Sequence, residues 1–161
     1  MSYRQLIIVV VLIAVLSLII SLVQMNPPLE YRGGIRRNQN REIELDFINT
    51  GKGSISLRNV LVNGTNASQV ELKLKRTPSS TLPTNANDYS VHEIGEYKIK
   101  PLPSENETKR AWKEMNESGE TNVIFGYTVR IINDRPVESV TIQYSYYGLP
   151  FQHTIEISPW S

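Results

Sequence analysis

Two histidines are the side chains in this sequence best suited to proton transfer or zinc binding near neutral pH. His92 begins the run HEIGE, in which Glu96 stands where the zinc-protease motif H-E-x-x-H needs its second histidine. His153 alternates with apolar residues, which is typical of a half-buried strand histidine. Neither histidine therefore predicts a metal or catalytic site.

Other reactive groups also lack partners at the spacing that catalysis needs. Glu42, Glu44 and Asp46 share one face of an alternating stretch, a pattern typical of a solvated surface. The run GKGS at residues 51–54 lacks the first glycine of a phosphate-binding loop and fits a hairpin turn better. The sequence has no G-x-S-x-G nucleophile motif and no cysteine. We therefore expect no catalytic residue, no metal and no cofactor, and the sequence does not predict an enzyme.

The size and charge of the chain restrict its class. It has 161 residues, of which 40% are apolar, which allows one ordinary domain with a short appendage. Its formal net charge of +1 lacks the strong basic excess of dedicated nucleic-acid-binding proteins. We expect no nucleic-acid partner.

An apolar stretch at residues 6–23, LIIVVVLIAVLSLIISLV, is interrupted only by Ser17 and Ser21. As a helix it would be ~27 Å long, close to the ~30 Å hydrocarbon core of a bilayer. Pro27 and Pro28 prevent the helix from continuing. We therefore predict that residues 1–25 are a transmembrane anchor with a short N-terminal end, and that residues 6–23 lie in the lipid bilayer.

Three alternative roles for this stretch fit less well. A cleaved signal peptide has an apolar stretch of roughly 7–15 residues followed by small residues, and this stretch is longer and lacks them. A buried core helix carries polar residues on one face, whereas this one is apolar all round. A pilin-like stem continues as a helix beyond the membrane, which the two prolines prevent.

The orientation of the span is predicted by two opposing observations. Four arginines follow the span, and the positive-inside rule would place them in the cytoplasm. That rule weakens when a long domain is translocated, and roughly 120 residues follow the last of these arginines. We expect a single-pass protein of the cell membrane, and the resemblance of the rest of the chain to an exported β-sandwich favours a C-terminal domain outside the cell.

Residues 26–41, NPPLEYRGGIRRNQNR, have the composition of a flexible linker, with two prolines, a glycine pair and four arginines against one acid. The domain that follows, residues 42–161, carries twelve basic and fifteen acidic residues. The linker arginines are candidate contacts for an anionic surface, either lipid headgroups or a wall polymer. The alternative is a solvated spacer. These candidates are Arg32, Arg36, Arg37 and Arg41.

Residues 42–161 contain short stretches of alternating apolar and polar residues separated by turn residues. The alternation changes parity near Arg58 and Asn59, which predicts a bulge. About seven such stretches predict an all-β fold, an immunoglobulin-like antiparallel β-sandwich behind one N-terminal transmembrane α-helix. A closed β-barrel is the main alternative.

One short helix is also predicted within this domain. Residues 104–107 have the capping-box pattern S-x-x-E, and Ala111, Trp112 and Met115 follow at helical spacing. These three residues are expected on the apolar face of the helix.

Aromatic residues near the C-terminus are the best candidates for contact with a partner. Alternation places Tyr144 and Tyr146 in the core and Tyr147 on the opposite side. Tyr147 and Trp160 are candidate partner-binding residues, because tyrosine and tryptophan bury large area and keep a polar group.

Two segments, DFINTGKGSISLRNVLVNG and YTVRIINDRPVESVTIQYSYYGLPFQHTIEI, resemble uncharacterised single-span surface proteins of low-GC Gram-positive bacteria. These carry an immunoglobulin-like domain behind an uncleaved anchor. The resemblance implies an external sandwich in a lineage that tends to avoid cysteine in exported proteins. We expect a membrane-anchored, non-catalytic module that binds a protein or cell-envelope partner. The alternative is a structural accessory subunit of a larger membrane complex.

Overall fold

A computed structural model describes residues 2–76, 89–119 and 121–159 of the protein. Within its helices and strands, the side chains at positions 4, 16, 19, 22–24 and 89 lie outside this description. The elements are α1 (Tyr3–Met25), β1 (Leu29–Arg37), β2 (Glu42–Asn49), β3 (Ile55–Val62), β4 (Thr65–Asn66), β5 (Gln69–Lys75), β6 (Tyr89–His92), β7 (Lys98–Ile99), α2 (Glu105–Ser118), β8 (Gly126–Ile132), β9 (Ser139–Tyr146) and β10 (Leu149–Glu156).

The strands form two antiparallel sheets. The first sheet has the order β1-β2-β8-β5-β6, and the second has the order β10-β9-β3-β4 with β7 also paired to β3. Among the described strands, seven of the ten have seven residues or more. The predicted all-β, antiparallel architecture is confirmed.

The core lies between the sheets and follows the alternation of the sequence. In β2, Ile43, Leu45 and Phe47 are buried, and the residues between them are partly exposed. The pairing of β3 with β9 shifts between Leu57 and Asn59, so the buried positions change parity there. The bulge predicted in β3 is confirmed.

Several of the loops that connect the strands lie at the end of the sandwich nearest α1. We call this the α1-proximal end and define it by residues 26–28, 50–54, 100–104 and 147–148. The chain is fixed there at Pro28, which is buried and whose carbonyl accepts hydrogen bonds from Thr50 N at 2.9 Å and Thr50 Oγ1 at 3.1 Å. The opposite end comprises residues 38–41, 63–64, 133–138 and 157–159.

The flexible linker predicted at residues 26–41 is wrong over most of its length, because residues 29–37 are strand β1. β1 pairs with β2 along its whole length, with a register shift between Tyr31 and Gly33. The glycine pair belongs to this irregularity. A Cβ atom on Gly34 would collide with the backbone carbonyl oxygen of Glu44, so glycine allows the close approach of the two strands.

Helix α2 begins where the capping box predicts. Ser104 and Glu107 form reciprocal side-chain to backbone hydrogen bonds, and Gly119 ends the helix in the left-handed conformation. Its predicted apolar face is only partly correct, because Ala111 is buried whereas Trp112 is exposed. Both flanks of α2 attach near the α1-proximal end, through hydrogen bonds from Leu102 N to Asn49 O and from Phe125 N to Lys75 O.

α1 is a continuous helix that begins with a capping box at Ser2. In the part of the chain that the structure describes, no helix meets the length and apolarity required to cross a membrane. The transmembrane helix therefore stays a prediction.

Candidate binding surface

A pair of tyrosines at the end of β9 lies on a glycine-containing turn at the α1-proximal end. The hydroxyl of Tyr146 accepts hydrogen bonds from Lys52 N at 3.1 Å and Gly53 N at 3.3 Å. The ring of Tyr147 packs against that of Tyr146, with centroids 4.3 Å apart. A Cβ atom on Gly53 would lie 2.8 Å from the Tyr147 ring, so the ring needs glycine beneath it. The hairpin turn predicted for the run GKGS is wrong, because this run connects β2 of the first sheet to β3 of the second. It supports the tyrosine pair instead.

Tyr147 occupies an unfavourable backbone conformation. It has φ +50° and is followed by Gly148 at φ +80°, in the two-residue turn between β9 and β10. Asparagine and glycine usually fill such turns, because a bulky residue is strained at positive φ. Tyr147 is nevertheless 66% exposed. This agrees with the prediction that it lies on the opposite side from the core. A strained residue that presents an aromatic ring to its surroundings is a candidate contact residue.

Two further large apolar side chains are exposed on segments attached to the α1-proximal end. Leu102 is 44% exposed and Trp112 is 46% exposed. The sequence offers no local signal for either position, because Leu102 lies between two prolines and Trp112 has the spacing of an inward-facing helix residue.

A cavity of about 760 Å³ opens at the same end, beside the C-terminus of α1. Its walls combine apolar groups with a few polar ones. His153 reaches it from β10 and is half-buried, as the sequence predicts. The wall also includes Met25, Pro28, Tyr31, Lys52 and Tyr146.

The outer surface of the first sheet carries paired charges, and we call it the charged face. Arg130 binds Glu42 through Nη2 at 2.8 Å and Glu71 through Nη1 at 3.3 Å. Lys73 Nζ lies 2.7 Å from Glu44 Oε1. The charged face consists of Glu42, Glu44, Glu71, Lys73 and Arg130.

The charged face differs from the solvated surface predicted for Glu42, Glu44 and Asp46. The side chains of its five residues are only 16% to 30% exposed. The hydrogen bond from Arg130 lowers the pKa of Glu42, and the same contact raises the pKa of Arg130. Asp46 accepts a hydrogen bond from Thr128. The acids are therefore fixed by cross-strand partners, which sequence spacing within one strand does not reveal.

The outer surface of the second sheet is polar and mostly uncharged, and we call it the polar face. Thr141 and Thr154 hydrogen-bond across β9 and β10 at 2.9 Å, and Gln152 is exposed beside them. Arg58 Nε lies 3.3 Å from Ser145 Oγ on the same surface. The two outer surfaces of the sandwich thus offer different chemistry.

The four candidate arginines are distributed along β1 and the turn after it. Arg32 pairs with Glu30 at 3.3 Å, and Arg36 Nη1 donates to the carbonyl of Ser158 at 2.8 Å. Arg37 lies within 4 Å of two acids of the charged face. Arg41 follows in the turn at the opposite end. At about 3.3 Å per residue, the far end of β1 is roughly 26 Å along the strand from its start.

His92 lies in β6 with a neighbouring hydroxyl and ring. Its Nε2 is 3.2 Å from Ser90 Oγ, and its ring centroid is 5.1 Å from that of Tyr97. Within the described residues, His, Asp and Glu side chains nowhere form a group of three suited to a metal ion.

Trp160, the second aromatic candidate, lies outside the described residues.

Comparison of the chain with known protein families, with curated protein sequences and with solved structures finds no match.

Proposed function

We propose that this chain is a single-pass membrane protein whose non-catalytic, immunoglobulin-like sandwich lies outside the cell and binds a protein or cell-envelope partner. One observation carries the proposal. The apolar stretch at residues 6–23 is helical and is joined to a folded sandwich by only three residues. Large apolar side chains along it are exposed, and a bilayer would bury them with a gain of about 25 cal/mol per Å². They are Leu6, Ile7, Ile8, Val9, Val10, Val11, Leu12, Ile13, Val15 and Leu18.

The strand order supports the immunoglobulin-like part of the proposal. Constant-type immunoglobulin domains have strands A, B, E and D in one sheet and C, F and G in the other. Here β1, β2, β8 and β5 take the places of A, B, E and D, while β3, β9 and β10 take those of C, F and G. β6, β7 and α2 form an insertion between the D and E positions. The resemblance to surface proteins with such a domain agrees with this assignment.

The charged face is the surface that we assign to the partner. Its side chains are already fixed by mutual ion pairs, so binding would cost little additional side-chain entropy. A fixed pattern of both charge signs favours a partner with the complementary pattern and disfavours others. This property fits selective protein recognition.

Thiol labelling tests the anchoring and the orientation. The chain has no cysteine, so Arg135→Cys in the exposed turn between β8 and β9 introduces a unique thiol. We expect a membrane-impermeant maleimide to label intact cells, and the protein to resist extraction by alkaline carbonate. Labelling only after lysis would place the sandwich in the cytoplasm. The matched variant Leu12→Arg puts a charge at the centre of the span, which costs about 3 kcal/mol, and should increase the fraction of protein that alkaline carbonate extracts.

Photo-crosslinking tests the binding face. A photoreactive residue replaces either Gln69, exposed beside the charged face, or Gln152, exposed on the polar face. We expect a defined crosslinked product in membranes from position 69 and none from position 152. A product from position 152 alone would overturn the choice of face. No product from either position would overturn the binding role.

A further inference from the structure

We propose that the α1-proximal end of the sandwich rests in the lipid headgroup layer, with Leu102, Trp112 and Tyr147 as its contacts. This inference rests on the proposed membrane anchoring of α1. It adds a second attachment to the bilayer, made by the folded domain itself. It also assigns Tyr147 to the membrane rather than to a protein partner.

The distribution of exposed apolar side chains is the first support. Outside α1, the large apolar side chains that the structure describes as exposed are Val91, Leu102, Trp112 and Tyr147. Three of these four lie on segments attached to the α1-proximal end. Tryptophan and tyrosine are enriched at headgroup depth in membrane proteins, because their rings combine an apolar body with a polar group.

The short connection to α1 is the second support. Two residues separate Met25, the last residue of α1, from Pro28, which is hydrogen-bonded to the sandwich. Three extended residue steps span at most about 10 Å. The headgroup layer on one side of a bilayer is roughly 5–7 Å thick. If α1 spans the bilayer, the α1-proximal end therefore lies in or directly against this layer.

The strain at Tyr147 is the third support. A left-handed turn position occupied by tyrosine costs stability that asparagine would not, and the ring it presents is mostly exposed. Burial of this ring among headgroups and upper acyl chains would offset that cost.

The charges near Trp112 indicate the kind of lipid surface that fits. The basic residues of α2 are paired with acids one turn away, so the helix has no basic excess. The contact that α2 makes through Trp112 therefore depends on aromatic and apolar burial rather than on attraction of this helix to anionic lipid. The pairs are Lys109 with Glu105, Arg110 with Glu114 and Lys113 with Glu117.

Tryptophan fluorescence of the full chain in phosphatidylcholine bilayers tests the inference. In Trp160→Phe, Trp112 is the sole tryptophan. We expect a blue shift of its emission and a loss of intensity when the lipid headgroups carry a spin label. As the matched control, Arg135→Trp at the opposite end, in a background without the two natural tryptophans, should keep its emission. A further variant in that background, Leu12→Trp, reports insertion of α1 through quenching by lipids brominated along their acyl chains.

The outcomes separate this inference from the proposed function. Quenching of Leu12→Trp without quenching of Trp112 would overturn the headgroup contact and leave the anchor intact. No quenching of Leu12→Trp would overturn the anchor itself. Equal quenching of Arg135→Trp and Trp112 would also overturn the contact, because the end nearest α1 would then have no preference for the bilayer.

Two further measurements examine the chemistry of the contact. Tyr147→Asn keeps the turn, because Asn-Gly is favoured there. We expect this variant to remain folded and to show weaker quenching of Trp112. Exchanging neutral for anionic lipid should leave the quenching of Trp112 unchanged. A strong dependence on anionic lipid, or no effect of Tyr147→Asn, would contradict a contact made by apolar burial.

Discussion

Two neighbouring tyrosines in β9 should respond oppositely to loss of their hydroxyl groups. Tyr144 and Tyr146 both point into the core. Among the described residues, the hydroxyl oxygen of Tyr144 has no hydrogen-bond partner of normal geometry. Burial raises the pKa of Tyr144, and a smaller opposing effect comes from the backbone N–H of Leu29. Tyr146 Oη accepts two backbone hydrogen bonds from the turn at residues 52–53. The substitutions Tyr144→Phe and Tyr146→Phe remove one oxygen atom each.

The magnitudes follow from these different surroundings. A buried hydroxyl without a full hydrogen bond costs roughly 1–3 kcal/mol, so its removal from Tyr144 returns part of that cost. The attraction to Leu29 and some packing are lost, and we expect the free energy of unfolding to stay unchanged or rise by up to about 1 kcal/mol. Tyr146→Phe leaves two amide groups of a partly exposed turn to water, and we expect a loss of about 1–2 kcal/mol. The midpoint temperature of this variant should fall by about 5 °C.

Thermal and urea unfolding of the full chain in mild detergent checks the pair. Circular dichroism of the strands follows the sandwich, while the detergent covers the exposed apolar side chains of α1. The two variants share a strand, a residue type and the deleted atom, so each serves as the control for the other. The reasoning fails if Tyr144→Phe is the less stable of the two, because an unpartnered hydroxyl would then be contributing more than a hydrogen-bonded one.

Three further changes have defined outcomes. The hydrogen bond from Arg130 lowers the pKa of Glu42 below its ordinary value of 4.5, so the stability it gives is present above that pH and lost as the pH falls through the lowered pKa. Urea unfolding should therefore show a smaller loss on acidification in Arg130→Met than in the natural protein, and equal losses would refute this. Gly34→Ala places a Cβ atom against the β2 backbone and should cost about 2 kcal/mol in urea unfolding, so an unchanged midpoint would count against the tight β1–β2 approach. Ser104→Ala removes the N-cap of α2 at a cost of about 1 kcal/mol. Its first-turn amides should then exchange hydrogen faster while those of β9 do not change, and uniform exchange would contradict a local effect.

Elements with strong local patterns could be predicted from the sequence. The alternation in β2, the parity change in β3 and the capping box of α2 each depend on residues close together in the chain. β1 could not be predicted in this way, because it is an edge strand rich in arginine and glycine. Its stability comes from pairing with β2. The glycine pair indicates flexibility in isolation, but here Gly34 allows the close approach of the strands and Gly33 takes a φ of +131°.

Of the exposed side chains at the α1-proximal end, only that of Tyr147 could be predicted from the sequence. Side chains alternate along β9, so the residue after the buried Tyr144 and Tyr146 is expected on the opposite side. Trp112 has the spacing of a core residue, and its exposure depends on how α2 is attached through distant segments. The grouping of Leu102 and Tyr147 at one end depends on strand order, which local sequence does not determine. The ion pairs of the charged face likewise join residues from three strands.

The short connection between α1 and the sandwich also limits the reach of the protein. A flexible spacer of sixteen residues would place the domain at a root-mean-square distance of roughly 22 Å from its attachment point. Here the attachment is at Pro28, and β1 extends over only about 26 Å at 3.3 Å per residue step. If α1 spans the bilayer as proposed, a domain held in this way samples only a thin layer, about the height of one sandwich, next to the membrane. Neighbouring membrane proteins and polymers that enter that layer would then be encountered repeatedly, whereas a soluble molecule would meet the domain only after reaching the surface. The proposed anchoring would therefore select partners by their distance from the membrane before any side chain distinguishes between them.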